Sequence, residues 1–363
     1  MKEYFTRKKT KKKKQLLAMI LSLCMGLSIC PDIQAGQLDS MNRQLRESHS
    51  HAVCGNDNCT HGHLPEEYAA VNTAYELIQA AKDGGNYYLA DDIDIIGGGD
   101  EIYGTTKAVV NIESDFNLCL NGHTCSIKIV SDKGTAYYAM LLKGAANFNL
   151  CDCSEGKTGK LINDSFQEGE GNENAPHVLF SNGSGDIVMY GGTVTNHNNG
   201  WVLNCYASSG KQIVDGAVLE GFYTLSGKTI IVRSGTVGSW SSTGDKTGNV
   251  ISGSDITIEG GTVNGGFVQL NSSGQGRFTG GVVNGYLKLG SNSVSEVGNI
   301  TINTLSRQYF GGIDAANSSN VKIYLYDSPT FTGMAKNREI YCKANDTAEG
   351  ATIIPHSRDG SKN

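Results

Sequence analysis

Two cysteines and four histidines crowd the run HSHAVCGNDNCTHGH between residues 49 and 63. Two thiolates and two imidazoles are a donor set that tetrahedral zinc accepts, so His51, Cys54, Cys59 and His61 could hold a zinc ion. Outside the reducing interior of a cell, the same two cysteines would instead pair in a disulfide that closes a small loop. We expect the Cys54–Cys59 disulfide, with the metal site as its alternative.

A second set of cysteines lies in a repeated motif, because FNLC occurs at residues 116–119 and again at residues 148–151. The repeat makes Cys119 and Cys151 equivalent, and on neighbouring rungs of a β-solenoid they could come within disulfide range. Cys125 and Cys153 are competing partners, and the spacing alone does not decide the pairing.

Carboxylates and a histidine offer acid–base or calcium chemistry. The densest acidic group could bind calcium, but solvated turn residues are the simpler interpretation. His123 is a lone histidine, which we interpret as a turn residue bonded to backbone rather than as a general base. The acidic group comprises Asp91, Asp92, Asp94, Asp100 and Glu101.

Aromatic residues recur after the glycine–valine units of the repeats described below. Flat Trp and Tyr rings could contact sugars along one face, and the candidate residues are Trp201, Tyr223, Trp240 and Tyr286. The simpler alternative is an aromatic ladder inside the core. Trp240 has only glycine and serine on either side and is the best candidate for an exposed ring.

The elements that must position these residues are short strands broken by glycine. Five windows share an apolar residue, a glycine three places later and a valine two places after that, with a period of about 22 residues, which is typical of a β-solenoid. Asn264 and Asn284 occupy equivalent places and are expected to stack as an amide ladder. The windows are residues 187–196, 211–220, 230–239, 256–265 and 276–285.

The residue after each apolar position should point outward, and this reading gives Tyr190, Val214, Arg233, Glu259 and Thr279. Arg233 and Glu259 are one repeat apart and are expected to form an exposed ion pair. No paired arginines and no carboxylate pair of the kind used by hydrolases stands out in the repeats.

Composition agrees with an ordered β protein, since the chain has 47 glycines and only 5 prolines in 363 residues. We divide the chain into a signal peptide (1–35), a polar Cys/His segment (36–64), an N-terminal capping helix (65–85) and a parallel β-helix (86–363). The basic start followed by the apolar run of residues 15–29 indicates export. Cys30 offers a weaker indication of lipidation.

The capping helix is predicted from an apolar stripe at helical spacing, formed by Tyr68, Val71, Tyr75 and Ile78. Pro65 suits its first turn and Gly84 its end. A helix here would cover the open end of the first rung.

Charge excludes two classes of partner. The whole chain has a net charge of −6, and removal of residues 1–35 takes away eight basic and two acidic residues, which leaves −12. Nucleic acid and anionic membrane are therefore not expected as partners. Only the signal segment is expected to contact a membrane. Cations or neutral glycans remain compatible.

The motifs NYYLADDI, FNLCLNGHT and FNLCDCSEGKTGKL, followed by GGTV units, resemble secreted right-handed parallel β-helix proteins of Gram-positive bacteria, which are pectin-lyase-like in fold. The resemblance covers residues 49–330 and includes the Cys/His segment. It implies an all-β, right-handed parallel β-helix that is secreted or displayed on the cell surface. Fold-level similarity does not assign an activity.

We therefore expect a monomeric, non-catalytic interaction or adhesion module, with a polysaccharide or a host or cell-wall glycan as its ligand and no cofactor beyond calcium or zinc. One alternative is a polysaccharide lyase or glycoside hydrolase. Such a lyase needs an Arg or Lys base and calcium held by acidic residues, and a hydrolase needs paired carboxylates. A structural spacer is the other alternative.

Overall fold

A computed structural model of the chain describes residues 48–51, 66–97, 101–103, 106–129, 137–154, 156–165, 176–239, 249–304, 311–316, 318–327, 329–333, 339–341 and 352–356. All of them belong to one compact unit, Ser48–Asn363. Among these residues, no helix is long and apolar enough to cross a membrane.

The first part of this unit holds one helix and fifteen short strands. They are β1 (Ser48–His51), β2 (Glu66–Val71), α1 (Ala74–Asp83), β3 (Gly85–Leu89), β4 (Ile93–Gly97), β5 (Glu101–Tyr103), β6 (Thr106–Ile112), β7 (Phe116–Cys119), β8 (Thr124–Ile129), β9 (Tyr137–Leu142), β10 (Phe148–Cys151), β11 (Lys160–Asn163), β12 (His177–Ser181), β13 (Ile187–Met189), β14 (Thr193–Asn196) and β15 (Trp201–Cys205).

The second part contains longer strands that run through the corners between sheets, followed by shorter ones. They are β16 (Lys211–Gly221), β17 (Tyr223–Ser239), β18 (Asn249–Ile258), β19 (Thr262–Phe278), β20 (Val282–Leu289), β21 (Val294–Val297), β22 (Thr301–Asn303), β23 (Ile313–Asp314), β24 (Lys322–Tyr326), β25 (Thr330–Thr332), β26 (Ile340–Tyr341) and β27 (Thr352–His356).

The strands form three parallel stacks that the chain visits in turn. The first stack begins β3–β7–β10–β13–β16, the second β4–β8–β11–β14–β16, and the third β6–β9–β12–β15–β17. The repeated visit of one chain to three parallel sheets is a β-solenoid. The predicted all-β parallel β-helix is therefore confirmed, and its right-handed sense stays a prediction.

The core consists of inward columns of aliphatic and phenylalanine side chains, one member from each rung. The two copies of the FNLC motif lie in register, because β7 pairs with β10 so that Phe116 lies beside Phe148 and Leu118 beside Leu150. The column of the first stack continues through fully buried residues of later rungs. These are Met189, Val214, Val232, Ile258, Phe278 and Val297.

One repeat is displaced from the predicted alignment. Met189 pairs with Val214 rather than with Ile213, and Val194 pairs with Leu219 rather than with Val218. The prediction that Val214 points outward is wrong, because its side chain is fully buried. The physical reason is the position of the glycine: Gly216 lies in a stretch where the ladder between β16 and β17 shifts register.

The repeated glycines mark the corner between the first and second stacks. Gly261 has φ +74° and Gly235 has φ +87°, in the left-handed region that side-chain-bearing residues avoid. A Cβ atom at Gly261 would lie 2.8 Å from the carbonyl oxygen of Gly235 on the preceding rung. Both constraints favour glycine, which explains the repeat found in the sequence.

The predicted capping helix (65–85) is wrong in its first part. Residues Glu66–Val71 form β2, which pairs in parallel with β3 and antiparallel with β1. Tyr68 is fully buried in this strand, whereas Tyr75 of the supposed apolar stripe is 72% exposed. Sheet pairing has overridden the helical pattern in this segment.

The helix that does form, α1, caps the core as expected. It begins after Thr73, whose side chain accepts a hydrogen bond from the Glu76 N–H, and it ends at Gly84. Its buried face is Leu77, Ala80 and Ala81, which belong to the main core cluster. The helix packs on β3, β4 and β6.

Amide ladders run along the stacks. Asn284 Nδ2 donates to Asn264 Oδ1 at 2.7 Å, so the predicted ladder is confirmed, and Asn303 extends it with a donation to Asn284 Oδ1 at 2.8 Å. A second ladder joins Asn86, Asn117 and Asn149 across three rungs. These amides satisfy one another and hold neighbouring rungs in register.

We predict that Gly261→Ala lowers the free energy of unfolding by about 2 kcal/mol, because the left-handed conformation alone costs an L-residue roughly 1–2 kcal/mol. Urea unfolding followed by circular dichroism measures the change. Gly298→Ala is the matched control, since a Cβ there would approach no described atom more closely than 3.6 Å. An equal loss in both variants would contradict the corner argument.

Candidate functional site

Ring side chains from six rungs lie in one register column on the third stack. We call this set the aromatic column: Tyr138, His177, Trp201, Tyr223, Phe267 and Tyr286. The strand ladders pair His177 with Tyr138, Trp201 with Tyr223, and Phe267 with Tyr286. His177 lies beside Trp201, because Leu179 pairs with Leu203 two residues further along the same strands.

Apart from Tyr138, which is buried in a small cluster with Ala108 and Leu141, these rings lie outside the core clusters. In β15, Trp201 and Asn204 are partly exposed, whereas Val202 and Leu203 are buried. The same division recurs in β20, where Leu287 and Leu289 are buried and Tyr286 is partly exposed. Each rung therefore anchors its ring through neighbouring leucines or valines that fill the solenoid.

The rings contact one another at stacking distances. The Trp201 and Tyr223 centroids are 4.9 Å apart, and those of Phe267 and Tyr286 are 5.2 Å apart. Asn249 pairs with Phe267 and interrupts the rings between these two pairs. The arrangement gives two pairs of facing rings, which we call the ring pairs, separated by one rung.

A line of mostly polar side chains runs beside the aromatic column. The register of the third stack aligns Asn204, Ser226, Ser252, Gln269, Lys288 and Asp314, and we call this set the polar column. Amide, hydroxyl and charged groups thus follow the rings at each rung. Such pairing of flat apolar rings with directional polar groups is the usual composition of a small-molecule binding surface.

Electrostatics at the C-terminal end of the column involve three groups. Lys288 Nζ lies 5.0 Å from the centre of the Phe267 ring, within cation–π range. Burial, together with the nearby Asp314 charge, raises the pKa of Tyr286 to about 12. Burial also raises the pKa of Asp314, against the opposing effects of the Ala316 N–H and the Lys288 charge.

His177 is held as a neutral imidazole in the middle of the set. Its Nδ1 accepts the backbone N–H of Trp201 at 2.9 Å, and its ring stacks on Tyr138 with centroids 5.5 Å apart. Burial lowers its pKa to about 4. The histidine thus fixes the start of β15, and with it the position of Trp201.

Three of the four predicted glycan-contacting residues, Trp201, Tyr223 and Tyr286, fall in the aromatic column. Trp240 lies outside the residues that the structure describes. A core aromatic stack also exists, but Phe116 and Phe148 form it, with centroids 5.8 Å apart. The core-ladder interpretation therefore applies to Phe116 and Phe148, whereas Trp201, Tyr223 and Tyr286 lie outside the core clusters.

The sequence prediction did not include Tyr138 and His177. Their rungs lack the glycine–valine unit that marks the later repeats, and the segments between strands vary in length. The available signal was the paired strand patterns YYAMLL and HVLF, which become equivalent once the third stack is in register.

A charged group lies on the outer face of the first stack. The predicted pair is present, with Arg233 Nε 3.7 Å from Glu259 Oε2. Arg233 also approaches Asp215, with Nη1 3.6 Å from the largely buried Oδ2. Because this repeat is displaced by one residue, the sequence analysis assigned Val214 instead of Asp215 to the outward position. Arg233 therefore lies within ion-pair distance of two carboxylates, one on each neighbouring rung.

Within the acidic group near the N-terminal rungs, Asp92 stabilises a turn. Asp92 Oδ1 accepts the Thr124 N–H at 2.8 Å and lies 3.3 Å from His123 Nδ1. The Thr124 hydrogen bond, supported by His123, lowers the pKa of Asp92. The side chain of His123 therefore meets a carboxylate, not the expected backbone group. Asp100 lies outside the described residues.

The N-terminal zinc or disulfide prediction also stays open. Cys54, Cys59 and His61 lie outside the described residues, and His51 is placed only as the last residue of β1.

A cluster of three thiols lies on the outer face of the first stack, and we call it the thiol cluster: Cys119, Cys151 and Cys153. All three Sγ atoms are within 4.8 Å of one another, and those of Cys151 and Cys153 are 3.9 Å apart. The predicted equivalence of Cys119 and Cys151 is confirmed by their strand pairing. In the structure all three are thiols rather than disulfide partners.

The turn after Cys151 is organised by the fully buried carboxylate of Asp152. Its Oδ2 accepts the Gly159 N–H at 2.6 Å, and its Oδ1 accepts the Gly122 and Ser154 N–H groups at 2.9 Å and 3.1 Å. This bonding ties two rungs together and directs Cys153 back toward Cys119. A hydrogen bond with Cys119 and burial raise the pKa of Cys153 to about 12.

No protein-family model, curated protein or solved structure shows significant similarity to this chain.

We predict that the protein loses stability as the pH falls from about 6.5 to about 4. His177 has a lower pKa folded than unfolded, so the unfolded chain binds the extra proton in this window. The stabilisation is fully present above the pKa that His177 has in the unfolded chain. The pKa shift corresponds to a loss of at most about 3 kcal/mol from the free energy of unfolding. Denaturant unfolding at a series of pH values measures it.

His177→Gln should remove this part of the pH dependence. His123→Gln retains His177 and should keep the wild-type loss between those two pH values. An unchanged pH profile in His177→Gln would refute the role given to the buried imidazole.

Proposed function

We propose that this chain is an exported surface module that binds an extended neutral glycan along the aromatic column. The observation that carries the proposal is the outward pair of Trp201 and Tyr223, 4.9 Å apart and aligned with a second pair one rung beyond. The rings are partly exposed and belong to no core cluster.

The chemistry of the face favours sugars over lipids. The C–H groups of pyranose rings pack against aromatic side chains, and their hydroxyl groups need donors and acceptors at the edge of the contact. The aromatic column supplies the first requirement and the polar column the second. A lipid would meet an unfavourable row of amides and hydroxyls.

The repeat geometry favours a long ligand. Strands of a parallel stack lie about 4.8 Å apart, so the rings recur along a line instead of closing around a pocket. A polymer can contact both ring pairs at once, and linked contacts raise the overall affinity without any new interaction.

A neutral ligand is favoured over an acidic one. The chain without its first 35 residues has a net charge of −12, which repels polyanions over the whole surface. Within the two columns, the Lys288 charge is balanced by its register neighbour Asp314.

Export and family remain part of the proposal. The basic and apolar start of the chain supports secretion, and the FNLC and GGTV motifs support a place among pectin-lyase-like surface proteins. The mature N-terminus of the protein recovered from culture medium tests the first of these: a start near residue 36 is expected, and retention in the cytoplasm would contradict it.

The lyase or hydrolase alternative receives no support from the charged group on the first stack, because Arg233 lies between two carboxylates. Incubation with a glycan panel distinguishes the alternatives directly. New reducing ends or unsaturated products would establish turnover and would contradict the proposal of a non-catalytic module.

We predict that Trp201→Ala, Tyr223→Ala and Tyr286→Ala each weaken binding to a neutral polysaccharide by about tenfold, or ~1.4 kcal/mol, because each removes one partly exposed aromatic contact. Affinity electrophoresis through gels that contain a panel of neutral and acidic polysaccharides measures this. Trp201 is one of only two tryptophans in the chain, so quenching of its fluorescence gives a second readout.

Tyr206→Ala is the matched control. Tyr206 is 72% exposed on the turn after β15 and lies off the aromatic column. The control should retard like the wild type. If the panel gives no retardation at all, the spacer alternative stands; if Tyr206→Ala weakens binding as much as Trp201→Ala, the aromatic column is not the binding face.

A further inference from the structure

We propose that the thiol cluster is a three-coordinate site for monovalent copper, with Cys119, Cys151 and Cys153 as its thiolate ligands. The site lies on the outer face of the first stack, so the inference is independent of the proposed glycan-binding face.

The spacing of the sulfur atoms fits one central ion. Thiolates bound to a common metal at about 2.3 Å lie roughly 3.8–4.0 Å apart in tetrahedral or trigonal geometry. The Cys151 and Cys153 sulfurs are 3.9 Å apart, and Cys119 Sγ is within 4.8 Å of both. Small rotations of the side chains would bring all three to the binding distance.

The fold directs the three thiols to the same point. Cys119 and Cys151 are register neighbours at the ends of β7 and β10. Cys153 follows two residues after Cys151, and its backbone N–H donates to Cys119 Sγ at 3.4 Å. The turn that Asp152 stabilises brings Cys153 back toward Cys119. The backbone structure therefore places the three thiols together.

The surroundings suit a soft ion. The thiols belong to a small buried cluster with Tyr68 and Tyr88, separate from the solenoid core, and Tyr190 packs at its edge. Cys119 and Cys151 are buried, whereas Cys153 is partly exposed and provides a route of entry. Soft thiolate ligands favour monovalent copper, zinc or iron–sulfur clusters over hard cations such as calcium and magnesium.

The number of ligands favours copper over zinc. The group contains three cysteines and no histidine or carboxylate within the described residues, whereas structural zinc sites almost always have four protein ligands. Binding of one Cu⁺ would release three thiol protons to solvent and leave a complex of net charge −2. The Lys157 ammonium, 3.0 Å from the Asp152 carbonyl oxygen, lies beside this charge.

The test uses the full chain with Cys24, Cys30, Cys54, Cys59 and Cys342 changed to serine, which removes the thiols outside the described residues. The reduced protein is titrated with Cu⁺ under argon, in competition with a chromophoric chelator such as bicinchoninate. We expect one copper per chain, with three sulfur neighbours in the copper X-ray absorption spectrum.

In the same background, Cys153→Ser should weaken copper binding by at least about 100-fold, more than the loss of an outer-shell partner causes. Cys205→Ala, which removes a core thiol of β15, should bind like the parent. Circular dichroism of each variant shows that it is folded.

Three results would overturn the site. They are equal copper affinity in Cys153→Ser and its parent, fewer than three sulfur neighbours, and a disulfide between any two of the three cysteines in protein isolated without reductant. The last result would assign the thiol cluster to covalent stabilisation of the rungs.

Discussion

In-register stacking of parallel strands is the constraint on which the rest of this molecule depends. Each rung lies about 4.8 Å from the next, so a side chain on one rung meets its equivalent on the neighbouring rung. Met189 above Val214, Asn264 above Asn284 and Trp201 above Tyr223 are three chemically different results of this rule. The core, the amide ladders and the aromatic column all follow from it.

Much of the architecture could be predicted because its determinants are local. The corner glycines can be recognised because they recur in each sequence repeat, and the repeated FNLC motif identifies the pairing of β7 with β10. The predictions that failed depended on contacts between residues that are distant in the sequence. The segment EEYAAV satisfies both a helical and a strand pattern, and pairing with β3 decides between them. A register shift beside Gly216 moved one repeat by a residue, which concealed Asp215.

In the candidate sites too, some residues could be predicted from local sequence and others depend on contacts between distant segments. Trp201, Tyr223 and Tyr286 could be named from the sequence because their residue type suits sugar contact, but whether their rings face inward or outward depends on the twist of each strand. Tyr138 and His177 join them only through the register of the third stack. Cys119 and Cys151 were predictable as a pair, whereas the approach of Cys153 depends on the turn around Asp152.

Rung equivalence also has a genetic consequence. Because Val263 and Val283 are register partners, a deletion from Val263 to Val282 would join two points that the fold already places one above the other. The shortened chain would keep its columns and lose one layer of surface. Unequal recombination between such repeats would therefore change the length of the exposed faces without redesigning their chemistry, and new variants could arise by whole layers instead of by single substitutions.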